Sequence, residues 1–327
     1  MVTVHEILSL EDPGARLFAR LTEAQLRGVG AAGGAGFGAA GAAVAAPKGA
    51  APPGLFIAES PNVILRGLEN GYEPVAALCE HNQVAWMTQA LEKSAAPGQL
   101  ENEIPIYTAD TQLLRHMTGF ALTRGVMCAF RRRELHSAED ICCRSGRPAT
   151  RIAVLDGIVD STNVGAIFRS AAALGFDAVL LTRTCCDPLN RRVLRVSMGA
   201  VLQVPWTWLE FPRPGSSTVS RPAGSSRLAS SPGSGPDPRL TSLSASLHHM
   251  GFKTVAMALR EGARALDDPQ IAQEARLAIV FGNEGYGLSE TDIDEADYVV
   301  CIPMSHGVDS LNVAHTASIA FWQLRQR

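Results

Sequence analysis

From Arg151 to the C-terminus, short and wholly apolar runs alternate with helical stretches. The runs predict strands over Arg151–Asp156, Ala178–Thr182, Val201–Leu209, Lys253–Leu259, Arg276–Phe281 and Tyr298–Ile302. Helices are predicted over Asn163–Leu174, Pro188–Met198 and Leu240–Met250, with a short one from Glu290 and a final one from Leu311. A strand that is apolar at every position, not at alternate ones, is buried on both faces. The pattern therefore predicts a parallel sheet covered by helices, and ligands of such sheets bind at the carboxyl ends of the strands.

The N-terminal part reads as a smaller α/β domain. Gly54–Ala58, Val75–Cys79 and Ile104–Thr108 are predicted strands. Ser60 and Pro61 open a helix that runs to Gly71, with Ser as N-cap and Pro at the first helical position. Val84–Glu92 forms a further helix. Two low-complexity stretches interrupt the chain, one Gly/Ala-rich at 28–54 and one Ser/Pro-rich at 212–238. Neither has hydrophobic periodicity, so both read as flexible loop insertions. The resulting division is a domain over 1–135 and a second over 151–327. The first insertion contains Gly28-Val-Gly30-Ala-Ala-Gly33, a literal dinucleotide fingerprint. It lacks the preceding strand and following helix that the fingerprint requires, so a dehydrogenase reading is rejected.

Composition bounds the functional classes. At 327 residues, with 46% hydrophobic and 19% charged residues, the chain has material for two ordinary cores. The net charge of −3 does not announce a nucleic-acid partner, so an RNA surface must be local. Candidates are Arg131, Arg132 and Arg133, then Arg144, Arg147 and Arg151, then Arg191, Arg192 and Arg195. Aromatics at 6% are too few for base stacking on many rings. Seven cysteines without a regular framework point to a reducing compartment. The pairs Cys142-Cys143 and Cys185-Cys186 lack the spacer of a zinc knuckle, so no metal is expected. With no long apolar stretch, the expected location is the cytoplasm.

Three strand ends carry the chemistry. Asp160-Ser-Thr-Asn163-Val-Gly165 leads to Arg169; Asn163 is placed to cap the helix, and Arg169 lies roughly 9 Å further along its axis. Gly282-Asn283-Glu284-Gly285-Tyr-Gly287 sets a carboxylate in a glycine-rich turn. Cys301-Ile302-Pro303-Met304 is followed by Ser310-Leu311-Asn312-Val313, where Ser310 is placed to cap the last helix and Asn312 to sit in its first turn. Taken singly, each also reads as ordinary helix capping or turn geometry.

In this order, Asn-x-Gly-x-x-x-Arg, Gly-Asn-Glu-Gly and Ser-Leu-Asn-Val resemble the motifs of the SpoU-type (TrmH family) RNA ribose methyltransferases of the SPOUT superfamily. Val196-Ser-Met-Gly199-Ala and Ile302-Pro-Met304 are similar to the family too, and the resemblance covers Arg151 to Arg327. The N-terminal block resembles the family's ribosomal-protein-like RNA-binding domain, through Val4-His-Glu-Ile-Leu-Ser-Leu and Ile57-Ala-Glu59, although many relatives carry Gly where Ser60 stands. Both insertions depart from the family pattern.

The resemblance implies a deep trefoil knot, an exception to the rule against threaded chains, and a homodimer with sites near the subunit interface. It implies S-adenosylmethionine as cofactor, held at Leu259, Gly282, Asn283, Gly285, Ile302, Met304 and Leu311. It implies methylation of an RNA ribose 2′-hydroxyl by Arg169, Asn163, Glu284, Ser310 and Asn312, with RNA held in part by Arg131, Arg132 and Arg133. The family proposal makes Arg169 the base; a guanidinium that clamps a phosphate and stabilises the alkoxide is an equally physical role. An extra N-terminal domain favours ribosomal RNA over tRNA. The rival readings are a non-catalytic assembly factor and a base methyltransferase on the same fold.

Overall fold

The computed structural model describes residues 2–9, 12, 17–18, 26–27, 54–94, 103–118, 125–144, 146–209, 211 and 242–326. Of the loops expected to be flexible at 28–54 and 212–238, all but Gly54 lies outside the described residues, as does the Gly28–Gly33 fingerprint. The chain packs as two compact units. One holds the described residues up to Glu134 together with 189–202; the other holds 135–188 and the described residues from 203 on.

The first unit is built on a five-stranded sheet in the order β1-β4-β3-β5-β2. The strands are β1 (Val2–Glu6), β2 (Leu55–Glu59), β3 (Pro74–Glu80), β4 (Ile104–Ala109) and β5 (Val126–Arg131). β1, β4 and β3 are parallel, while β5 runs antiparallel to both β3 and β2. Helices α1 (Pro61–Glu69), α2 (Val84–Ser94) and α3 (Thr111–Thr118) accompany the sheet. α1 buries Val63, Ile64, Gly67 and Leu68, one face of a helix. Gly67 is needed there because a Cβ would stand 3.0 Å from the Phe130 ring.

Ser60 departs from expectation. It precedes α1, but its side chain makes no capping hydrogen bond, and its backbone has φ 81° and ψ 148°. That region is nearly exclusive to glycine. The next helix in the chain, α4 (Ser161–Ala173), belongs to the second unit. The helix expected over Pro188–Met198 is α5 (Arg191–Val196), capped by Asn190, and it packs on β2 of the first unit. There Arg195 Nη1 stands 3.6 Å from the buried Glu59 carboxylate.

The second unit holds a seven-stranded sheet in the order β10-β12-β9-β11-β6-β7-β8, parallel at every pairing. Its strands are β6 (Arg151–Leu155), β7 (Ala178–Leu181), β8 (Trp206–Trp208), β9 (Lys253–Met257), β10 (Arg264–Ala265), β11 (Leu277–Phe281) and β12 (Tyr298–Cys301). Every residue of β6, β7 and β11 is buried, so the parallel-sheet expectation is borne out for the reason given. Beside α4 stand the helices α6 (Leu243–His249), α7 (Pro269–Ala272), α8 (Glu290–Asp294) and α9 (Val313–Leu324). The strand expected over Val201–Leu209 shortens to β8, because Ala200–Leu202 forms a 3-10 turn and Pro205 separates the two. At the foot of the sheet, buried Arg151 donates from Nε to Leu324 O at 2.7 Å and from Nη2 to Ala272 O at 3.1 Å. It thereby satisfies carbonyls at the ends of α9 and α7.

Candidate active site

β6, β11 and β12 deliver the three motifs to one end of the sheet. The loop after β6 ends at Asp160, whose carboxylate accepts from Thr162 N and caps α4. The cap is therefore Asp160 and not Asn163. Asn163 falls in the first turn, is buried, and turns its amide inward. The turn after β11 closes on itself: Asn283 N donates to Gly287 O at 3.2 Å, and Gly287 N returns to Asn283 O at 2.9 Å. Gly282 makes this closure possible, since a Cβ would meet the Gly287 carbonyl carbon at 2.4 Å. Asn283 fastens the turn to the neighbouring strand end, donating from Nδ2 to Gly157 O at 2.6 Å and accepting from Gly285 N at 2.8 Å.

The last helix is capped by Asn312, whose Oδ1 accepts from Ala314 N at 2.9 Å. Ser310, the expected cap, lies two residues upstream and is exposed. The correction has a plain cause: Asn at the N-cap satisfies the second helical amide as well as Ser does, and helical geometry begins at Val313.

These motifs join in one relay. Asn312 Nδ2 donates to Asn163 Oδ1 at 2.9 Å, and Asn163 Nδ2 donates to Glu284 Oε1 at 2.8 Å. Both ends fix its direction. The Ala314 amide must find an oxygen, so Asn312 turns its NH2 toward Asn163; the Glu284 carboxylate only accepts, so Asn163 turns its NH2 toward Glu284. The result is an oriented string of amides ending on a carboxylate at the ligand end of a parallel sheet.

The model of the SpoU rRNA Methylase family matches residues 150–212 and 238–322. A tRNA/rRNA methyltransferase of Mycobacterium bovis is 34% identical over 270 residues, which is 82% of this chain and 80% of that one. This chain belongs to the SpoU methylase family of RNA methyltransferases. Solved structures share its fold. An AdoMet-bound rRNA methyltransferase from Sinorhizobium meliloti superposes with a TM-score of 0.66 at 18% identity, covering 98% of this chain and 97% of that one. An RNA 2′-O ribose methyltransferase superposes with a TM-score of 0.62 at 20% identity, covering 99% of this chain and 98% of that one.

Within this methylase, Asn163, Glu284 and Asn312 come together, while Ser310 and Arg169 stand outside their network. Arg169 is exposed on α4 and forms no hydrogen bond or ion pair among the described residues. Its neighbour Ser170 meets Ser318 of α9 at 2.8 Å. Six residues along a helix turn the side chain by about 240°, so Arg169 cannot share the inward direction of Asn163.

The residues expected to hold a cofactor ring the same strand ends. Gly282, Asn283 and Gly285 lie in the turn after β11, Ile302 and Met304 follow β12, and Leu259 follows β9. Leu259 is 61% exposed and Leu311 is 37% exposed. Val159, Tyr286 and Val308, in loops at the same end, are exposed as well. Two concavities elsewhere in the unit, one at Arg260–Arg264 and one at Arg151 and Gln323, contain none of these residues.

In the first unit, Arg131 donates to Glu73, Arg132 to the Leu55 carbonyl, and Arg133 to the Asn70 carbonyl while lying 4.1 Å over the Tyr72 ring. The run therefore braces the end of β5. Sequence reasoning missed the capping role of Asp160, whose signal was a good N-cap residue directly before the helical stretch. Among the described residues no group of three His, Cys, Asp or Glu side chains is placed to hold a metal ion.

Proposed function

We propose that this methylase transfers a methyl group to a ribose 2′-hydroxyl of RNA, with ribosomal RNA as the favoured substrate. The observation that carries the reading is the Asn312–Asn163–Glu284 relay, which ties three distant motifs into one oriented site. S-adenosylmethionine is the methyl donor and supplies a methyl group on a positively charged sulfur. The open apolar side chains of Leu259 and Leu311 fit its adenosine part.

A ribose hydroxyl is a poor nucleophile until its proton leaves, so the site must align the oxygen and stabilise negative charge on it. The relay supplies alignment: Glu284, held by Asn163, is an acceptor for the hydroxyl proton, and Asn312 holds the loop before α9. Arg169 supplies the positive charge, clamping the phosphate of the target nucleotide and stabilising the forming alkoxide. It reaches a relay in a second copy of the chain, since within one chain it points away from Asn163. The homodimer this requires is supported by an apolar stripe on α9, where Ile319 is 43% and Trp322 57% exposed, one turn apart. The deep trefoil knot is carried over from the family.

The first unit is the RNA-binding domain, with Arg131, Arg132 and Arg133 as contacts. Free thiols at Cys79, Cys128, Cys142, Cys143, Cys185, Cys186 and Cys301 fit a cytoplasmic enzyme, and among the described residues no helix is long and apolar enough to cross a membrane. Tritiated methyl transfer onto unmodified ribosomal RNA and tRNA, followed by alkaline hydrolysis, tests the reading. Label in alkali-resistant dinucleotides of ribosomal RNA is expected. Label on bases, or on tRNA alone, assigns the rival substrates. Failure to bind S-adenosylmethionine in calorimetry makes the chain a non-catalytic RNA-binding protein.

A further inference from the structure

Tyr286 is the most exposed large apolar side chain of the second unit, at 72% exposure. Trp322 is the other exposed Tyr, Trp or Phe ring among the described residues, and the Arg325 guanidinium lies 3.3 Å from its centroid. Tyr286 has no such cover, and it stands at the ligand end of the sheet, two residues after Glu284.

Its backbone is fixed by the turn: Asn283 Oδ1 accepts from Tyr286 N at 3.4 Å and from Gly285 N at 2.8 Å, and Asn283–Gly287 bridging closes the loop beneath it. Its far end lies beside a second turn. The hydroxyl lies over Gly157, where a Cβ would come within 2.9 Å of it, and Gly157 has φ +69°. Gly157 is itself locked, donating to Thr182 Oγ1 at 3.0 Å and accepting from Asn283 Nδ2 at 2.6 Å. The ring thus reaches from the β11 turn toward the end of β6, its backbone held by the turn and most of its surface open. It fills no core. An uncovered aromatic plane on a fixed backbone suits recognition of an unstacked base.

We propose that Tyr286 is a positioning residue that stacks on the base of the target nucleotide and so sets its ribose against the Glu284–Asn163–Asn312 relay. The substrate class this names is an unpaired nucleotide, in a loop, a bulge or flipped from a helix, because a base inside a duplex already has both faces covered. The inference rests on the ribose-methyltransferase reading. It also reconciles a chain with few aromatics with RNA recognition, since one well-placed ring serves the target itself while phosphate contacts hold the remainder.

The test uses the full-length protein with Tyr286→Ala, Tyr286→Phe and Tyr286→Trp. Unmodified ribosomal RNA transcripts serve first to map the methylated nucleotide. A synthetic stem-loop carrying that nucleotide follows, with a second version that has ribose but no base at the position. Tyr286→Ala is expected to raise KM for the stem-loop roughly ten-fold, with S-adenosylmethionine affinity and oligomer mass unchanged. Phe and Trp are expected to restore it. On the abasic stem-loop the wild type is expected to fall to the level of Tyr286→Ala, with no further loss in the variant. Equal KM for wild type and Tyr286→Ala, a Phe variant as impaired as the Ala variant, or additive losses on the abasic RNA each overturn the stacking role alone. A wild-type protein that binds S-adenosylmethionine but methylates no RNA overturns the underlying reading as well.

Discussion

Asn163 and Asn312 are 149 residues apart in the chain, and their side-chain amides meet at 2.9 Å. The bond has a sense as well as a length, because Asn312 must donate and Asn163 must accept for the Glu284 bond to form behind them. The polarity of this string can be tested by reversing it.

Asn163→Asp places a carboxylate against the Glu284 carboxylate and removes the donor between them. A loss of methyl transfer of at least ten-fold and a destabilisation of about 1–3 kcal/mol are expected. Adding Glu284→Gln restores a donor facing the carboxylate introduced by the first substitution, so the double variant is expected to regain thermal stability without regaining activity. Methyl-transfer assays beside thermal melts check both. A double variant no more stable than Asn163→Asp means that the polarity of the relay carries no stability.

Arg169→Ala is expected to abolish turnover while calorimetry still records S-adenosylmethionine binding. Mixed dimers of Arg169→Ala with Glu284→Ala are expected to recover part of the activity, because one of the two sites then has an intact Arg169 facing an intact Glu284. Mixed dimers as inactive as their parents would place Arg169 in its own chain's site.

Ser60 holds φ 81° and ψ 148° without a side-chain bond in return. Ser60→Gly is expected to stabilise the protein by about 1 kcal/mol, the relief of strain exceeding the added flexibility of the unfolded chain. Ser60→Val is expected to destabilise it. Urea denaturation followed by circular dichroism measures both.

Asp297 sits between β9 and β12, accepting from Lys253 Nζ at 2.7 Å, Thr254 N at 2.9 Å and facing His248 Nε2 at 2.7 Å. Burial pushes its pKa up, but hydrogen bonds from Lys253, the Thr254 amide, His248 and the Thr254 hydroxyl outweigh burial and hold it well below the usual carboxylate range. A folded pKa below the unfolded one gives stability that is present above about pH 4 and is lost as pH falls through the folded value. Asp297→Asn is therefore expected to lower stability at pH 7 and to flatten its decline on acidification. Urea midpoints across about pH 2–7 check this; an unchanged slope contradicts it.

The parallel sheet was legible because burial on both faces leaves a mark on every residue of a strand, as in Leu277–Phe281. The motif residues were legible because amides, carboxylates and glycines at strand ends are costly unless used. Local sequence could not assign the caps. Asp160 and Asn163 are both good capping residues, as are Ser310 and Asn312, and only the position where helical geometry begins selects between them. It also could not place Arg191–Val196 on the first unit, since an amphipathic helix carries no address for the sheet it will cover.

What the chain's own order of residues determined is the class of fold and the chemical kinds gathered at its strand ends. The direction of the amide relay, the outward aim of Arg169 and the open face of Tyr286 were decided only when residues more than a hundred positions apart came within hydrogen-bonding reach. Periodicity reports which side of an element is buried, whereas orientation depends on what stands opposite, and that is a property of the packed molecule alone.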